Sequence, residues 1–149
     1  MKCCNVEVVF QEIPREISLA FSCTGCPNHC PDCHSKFLWN PDLGVDFTEN
    51  YLLENLMKYK GCISCVLFYG GEWEHDWLLK SLKIVKSCGM KTALYTGLKN
   101  VPDDIKSELD YLKVGPFIKE RGSLRERTTN QRLYDMKTGE DITYRFWNK

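Results

Sequence analysis

The chain has 149 residues, which is room for one domain and for no second of ordinary size. Hydrophobic residues at 43% and aromatics at 12% can build a buried core, so global disorder is excluded. Twenty Lys plus Arg against twenty Asp plus Glu leave no net charge, which argues against a protein that coats nucleic acid or an anionic membrane. The first element, Asn5–Phe10, alternates apolar and polar residues and predicts a half-buried strand. Glu7 interrupts that stretch, so the start does not form a signal-peptide core, and no later run approaches the roughly 20 apolar residues of a membrane helix. A soluble cytoplasmic protein is expected.

Ile17–Phe21 predicts a buried strand that leads directly into a cluster of cysteines. Asp46-Phe-Thr-Glu49 has capping-box spacing, and Leu52, Leu53, Leu56 and Met57 then recur at helical period until Gly61. Ile63–Tyr69 is β-branched and aromatic and predicts a strand running into Gly70-Gly71. A helix over 76–88 presents Leu78, Leu79, Leu82 and Val85 on one face and stops at Gly89. Thr92–Tyr95 predicts a strand ending at Thr96-Gly97. Pro102 opens a short helix, and Tyr111–Val114 is the next strand, closed by Gly115-Pro116. Residues 122–131 are polar and loop-like, and 132–136 with 142–147 suggest a terminal hairpin around Lys137-Thr-Gly139-Glu140.

Alternating strands and helices imply an α/β fold with a mostly parallel sheet. At roughly 30 residues per step there is space for four or five parallel strands. A complete eight-fold barrel of about 250 residues does not fit. The expectation is one domain over 1–149: a partial (β/α) barrel with a cluster loop at 22–36, then a polar segment and hairpin over 120–149.

Nine cysteines in a chain without an export signal, four of them between Cys23 and Cys33, point to metal or cluster ligation sooner than to disulfides. Three arrangements are open. Cys23-x2-Cys26 with Cys30-x2-Cys33 makes two halves of a zinc site, although only three residues separate the halves, against a dozen or more in structural zinc sites. All four cysteines can hold an iron–sulfur cluster, with a spacing unlike that of ferredoxins. Alternatively, Cys26-x3-Cys30-x2-Cys33 alone can hold three irons of a [4Fe-4S] cube and leave the fourth iron open.

The last spacing, on a loop after an early strand, resembles the radical S-adenosylmethionine enzymes. Gly70-Gly71-Glu72 at a strand end is similar to that family's Gly-Gly-Glu segment. Gly25-Cys26, Cys33-His34-Ser35 with Trp39, Tyr95-Thr96-Gly97, Gly115-Pro116-Phe117 and Thr129-Asn130-Gln131-Arg132 resemble the activating proteins of anaerobic ribonucleotide reductase, over residues 13–135. Asp32 departs from the aromatic residue that many superfamily members carry before the third cysteine, and Cys23 has no counterpart in the three-cysteine motif.

The resemblance implies Cys26, Cys30 and Cys33 as ligands of a [4Fe-4S] cluster, with S-adenosyl-L-methionine chelating the open iron. Reductive cleavage would yield a 5′-deoxyadenosyl radical that takes a hydrogen from a glycine of the reductase. It also implies Gly70, Gly71 and Glu72 at the methionine amino group, and Asp32 and His34, which flank the third cysteine, near the nucleoside. Thr96 would contact the ribose or carboxylate, or only shape its turn. The implied partners are the large subunit of anaerobic ribonucleotide reductase and a one-electron donor such as flavodoxin or ferredoxin.

Other residues carry plainer readings. Cys62 and Cys65 lie on a predicted strand and face apart, as packing cysteines; Cys88 reads as a small hydrophobe, and Cys3 and Cys4 also face apart. Glu72 could instead serve the start of the next helix. His29 is a loop histidine or a cluster neighbour, and His75 a surface residue. Lys119–Arg132 carries a local excess of three positive charges and is a candidate docking surface. Trp39, Trp73 and Trp77 would mark a partner surface if they formed one exposed patch.

Overall fold

The structure, a computed structural model, describes residues 1–31, 33 and 35–147. Asp32 and His34 therefore lie outside the described residues. One eight-stranded sheet organises the chain. Its strands are β1 (Lys2–Val9), β2 (Ser18–Cys23), β3 (Val45–Asp46), β4 (Cys65–Tyr69), β5 (Lys91–Tyr95), β6 (Tyr111–Val114), β7 (Arg132–Asp135) and β8 (Glu140–Asp141), in the order β3-β1-β2-β4-β5-β6-β7-β8. The central strands β2, β4, β5 and β6 are mutually parallel. Antiparallel pairs flank them on both sides. The α/β expectation holds, and of the four or five parallel strands expected there are four among the described residues. The sheet is open, with β3 and β8 at its edges, and four of its seven strand pairs are antiparallel, so parallel pairing is confined to the centre.

Helices α1 (Glu49–Lys58), α2 (His75–Ser87) and α3 (Asp103–Ser107) are the crossovers of the parallel strands. Their apolar residues Leu52, Leu56, Leu78, Leu82, Val85 and Ile105 pack with Leu19, Phe21, Val66, Phe68, Leu94 and Leu112. The alternate side chains Ala20, Leu67, Ala93 and Tyr111 form a second cluster with Ile13, Leu133, Ile142 and Phe146. The period-two alternation of a strand thus feeds two cores, which is why every residue of β2 is buried.

Several local expectations are corrected. The cap of α1 is Thr48, whose hydroxyl accepts from the Tyr51 N–H at 3.1 Å, while Asp46 pairs with Lys2 in the edge ladder. The hairpin closes as β7–β8, but residues 143–146 form a 3-10 turn in place of a second long arm. Thr143 Oγ1 accepts from the Leu133 N–H at 2.9 Å and donates to Asp141, so side chains take bonds a ladder would have used. Cys62 precedes β4 and is exposed, as is Cys88, so neither packs as a hydrophobe; Cys65 is fully buried. Cys3 is buried and Cys4 half-buried, facing apart as alternation requires.

Candidate functional site

The loop after β2 begins with Thr24, buried and hydrogen-bonded through both its N–H and its hydroxyl to the Lys2 carbonyl. Gly25 follows at φ +88°, and the N–H groups of Gly25 and Cys26 both donate to the Leu38 carbonyl, at 2.7 and 3.0 Å. The loop is therefore closed on itself before it delivers its thiols. Cys33 N–H donates to the Cys30 carbonyl at 3.0 Å, and Ser35 N–H to the Cys33 sulfur at 3.4 Å. His29, at φ +45°, stacks its ring on Trp39 with centroids 4.4 Å apart.

Cys26, Cys30 and Cys33 line a cleft of about 500 Å³ at the C-terminal ends of the parallel strands. Ligands bind at that end of open α/β sheets because the strands stop there and the crossover loops splay. Gly97 faces the cysteine loop. A Cβ built on it would stand 3.4 Å from the Asn28 amide nitrogen and 3.9 Å from the Cys30 sulfur, so a small residue leaves the loop its space. Cys23 is fully buried in the core behind Gly71, outside the cleft lining. Burial pushes its thiol well up.

Gly70 (φ +83°) and Gly71 (φ +101°) turn the chain from β4 toward α2. Gly70 lines the cleft, and a Cβ there would lie 2.5 Å from the Trp73 ring. Gly71 faces the other way, toward Trp77 and Cys23, and its carbonyl accepts from the Glu74 N–H. Of the two glycines only Gly70 thus borders the site. Glu72 does not serve the helix start: α2 begins at His75, and the Glu72 Oε1 accepts from Thr96 Oγ1 at 2.7 Å. Its second oxygen is buried without a partner among the described residues. Burial pushes the Glu72 carboxyl up, against the opposing pull of the Thr96 hydroxyl and the Lys113 charge. Thr96 also accepts from the Leu98 N–H at 3.1 Å, so it both shapes its turn and orients Glu72.

Lys113 was not a sequence candidate. It is 7% exposed on β6, with Nζ donating to the Gly115 carbonyl at 2.9 Å and the Thr96 carbonyl at 3.3 Å and lying over the Tyr95 ring. Burial brings its pKa down to about 8, while Glu72, Cys30 and Cys33 favour the charge. It brings a cation into the cleft that holds the three thiols and Glu72. The signal was present in Tyr111-Leu-Lys-Val114: alternation puts Lys113 on the face of buried Tyr111.

The far wall of the cleft includes Gln11, Glu12, Ser123, Leu124 and Arg125. Arg125 donates to the Gln11 side chain, Tyr95 donates its hydroxyl to the Glu12 carbonyl, and Trp147 Nε1 donates to the Leu124 carbonyl at 2.9 Å. Arg127 and Arg132 both lie over the Trp147 ring. The three tryptophans do not make one patch. Trp77 packs on Phe47 and Phe68 and donates to the Phe47 carbonyl, whereas Trp39 and Trp73 line the cleft. His75 is a surface residue bridging Asp76 and Asp104.

Among the described residues, no three His, Cys, Asp or Glu side chains converge as they would around a single metal ion. A four-iron cluster asks for something else. Each thiolate holds its own iron, so the thiols need to face one cleft without meeting at a single point, and Cys26, Cys30 and Cys33 all line this one. Residues 17–134 match the family model described as a 4Fe-4S single cluster domain. The chain belongs to that family. It is also similar to the pyruvate formate-lyase-activating enzyme of Clostridium pasteurianum, 33% identical over an alignment of 78 residues, with 48% of this chain covered. The match spans 33%, about a third, of that relative's length. No solved structure matches. Among the described residues, no helix is long and apolar enough to cross a membrane.

Proposed function

We propose that the chain is a radical S-adenosylmethionine activase, built as a partial barrel of that type, which installs a glycyl radical on the large subunit of an anaerobic ribonucleotide reductase. The supporting observation is that one cleft, at the carboxyl ends of four parallel strands, holds the three cysteines together with Gly70, Glu72 and Thr96. Family membership supports the cluster, and the similarity to a glycyl-radical activating enzyme supports the reaction class. Bound together, the [4Fe-4S] cluster and S-adenosyl-L-methionine would supply one-electron cleavage of a sulfonium bond.

The protein's own groups suit that ligand pair. Cys26, Cys30 and Cys33 would take three corners of the cluster, and the fourth would face the cleft. Glu72 offers a carboxylate oxygen with no partner among the described residues, and Lys113 a buried cation whose bonds there go to carbonyls. A free acceptor and a cation in one cleft fit a zwitterionic amino-acid end, with ammonium toward Glu72 and carboxylate toward Lys113. Tyr69, Tyr95, Trp73 and Phe117 add aromatic wall that keeps water from the reacting centre. Asp32 and His34, which flank Cys33 in sequence, remain proposed neighbours of the nucleoside.

The test mixes the reconstituted protein, a reduced flavodoxin or ferredoxin as electron donor, S-adenosyl-L-methionine and the host's anaerobic ribonucleotide reductase under argon. A glycyl-radical doublet in the electron paramagnetic resonance spectrum is expected on the reductase. An active cluster that cleaves S-adenosyl-L-methionine but gives no doublet, with turnover of another small molecule or peptide, would replace this substrate.

A further inference from the structure

The indole N–H of Trp39 is buried and has no hydrogen-bond acceptor among the described residues. Buried donors in native proteins are nearly always paired, and an unpaired one calls for a missing partner. Trp39 is fixed beside the cysteine loop at two points. The carbonyl of Leu38, its neighbour, accepts from Gly25 and Cys26, and its ring stacks on His29, which stands between Cys26 and Cys30. It lines the same cleft as the three thiols. The stack holds the indole plane, and the Leu38 carbonyl holds its backbone, so the donor's position is set before any ligand arrives.

Resting on the reading of Cys26, Cys30 and Cys33 as cluster ligands, we infer that the Trp39 Nε1–H donates a hydrogen bond to a sulfur of the [4Fe-4S] cluster. Thiolate and sulfide sulfurs accept such bonds, and each one favours the reduced, more negative cluster. Trp39 is thus a positioning and tuning residue. It makes the one-electron reduction easier without touching the iron. Trp77 and Trp147, whose N–H groups already donate to the Phe47 and Leu124 carbonyls, are not available for this role.

The experiment labels tryptophan with ¹⁵N in the indole ring, reconstitutes and reduces the cluster without S-adenosyl-L-methionine, and records electron spin echo modulation. The wild-type protein is expected to show a ¹⁵N coupling that Trp39→Phe abolishes and Trp73→Phe retains. Trp39→Phe should also shift the reduced-to-oxidised ratio at fixed potential by about tenfold toward oxidised, which is 59 mV for one electron. The wild-type spectrum decides even if Trp39→Phe fails to fold. An assembled cluster with no indole coupling overturns the inference and leaves the cluster reading standing. A wild-type protein with stoichiometric iron and sulfide absent overturns both.

Discussion

Lys113 carries the clearest consequence at the scale of single residues. Burial disfavours its charge, yet Glu72 and two thiols stand close enough to favour it, so the site holds a cation at its own cost until an anionic ligand group compensates. Lys113→Met keeps the length of the side chain and removes the charge. S-Adenosyl-L-methionine affinity, measured by titration calorimetry on reconstituted protein, should fall at least about tenfold, or about 1.4 kcal/mol, with iron content unchanged. Equal affinity would remove Lys113 from the site. Cys23 makes the opposite case. Its sulfur lies 3.4 Å from the position of a Cβ on Gly71, inside the core, so Cys23→Ala should keep the full iron and sulfide count while lowering stability by about 1 kcal/mol. Cys30→Ala should lose the cluster altogether. That the cysteine loop and the turn after β4 meet at one cleft was legible because each is local in sequence, although of that turn Gly70 and Glu72 line the cleft and Gly71 faces the core. Lys113 was hidden because its partners come from residues 72, 96 and 115, which only the parallel sheet brings together.

At the scale of elements, the end of the sheet away from the cleft is braced by one carboxylate. Glu16, just before β2 and 7% exposed, accepts from Ser64 before β4, from Lys91 at the start of β5 and from Tyr111 at the start of β6, at 2.8, 2.8 and 2.6 Å. The starts of four parallel strands thus share one acceptor, which sets their relative height and hence the height of the loops at the other end. Burial pushes the Glu16 carboxyl up, but the bonds from Lys91, Tyr111 and Ser64 outweigh it and hold the pKa below the ordinary value. A depressed folded pKa contributes stability that is complete above the unfolded value, near about 4.3, and is lost as pH falls through the folded value. Glu16→Gln should therefore cost about 1.5–3 kcal/mol in urea unfolding at pH 7. The gap to wild type should narrow below about pH 4, where Glu16 itself becomes protonated. A gap that ignores pH would mean that shape, and not charge, does the bracing. Strands β4, β5 and β6 were readable from dense β-branched and aromatic runs. The second hairpin arm was not, because Asp141 and Thr143 divert the ladder's bonds through side chains, which apolar periodicity does not record.

For the whole molecule, the decisive feature is a cleft whose far wall, Gln11, Glu12, Ser123, Leu124 and Arg125, includes one arginine of the basic segment. Net charge is zero, so the positive excess over 119–132 is a local field and not a global one. Within it the arginines have different duties. Arg121 donates to the Thr128 carbonyl, and Arg127 and Arg132 lie over Trp147, where they help hold the C-terminal turn. Arg125 bonds the neutral amide of Gln11 at the edge of the cleft, so its charge is not cancelled there. If a protein partner inserts a glycine-bearing loop into this cleft, Arg125 stands where an acidic rim on that partner would be felt. Reversing Arg127 would disturb the Trp147 packing as well, so Arg125→Glu is the cleaner variant. Rim charges act mainly on association rate and salt dependence. With the reductase, complex formation by stopped flow at low salt should slow about tenfold and approach the wild-type rate near 0.5 M salt, where the screening length falls to a few ångströms. Iron content and thermal stability should match wild type, because the Gln11 contact is exposed. A salt-independent loss would point to a distorted cleft in place of electrostatic docking, and an unchanged rate would move the docking surface off this segment.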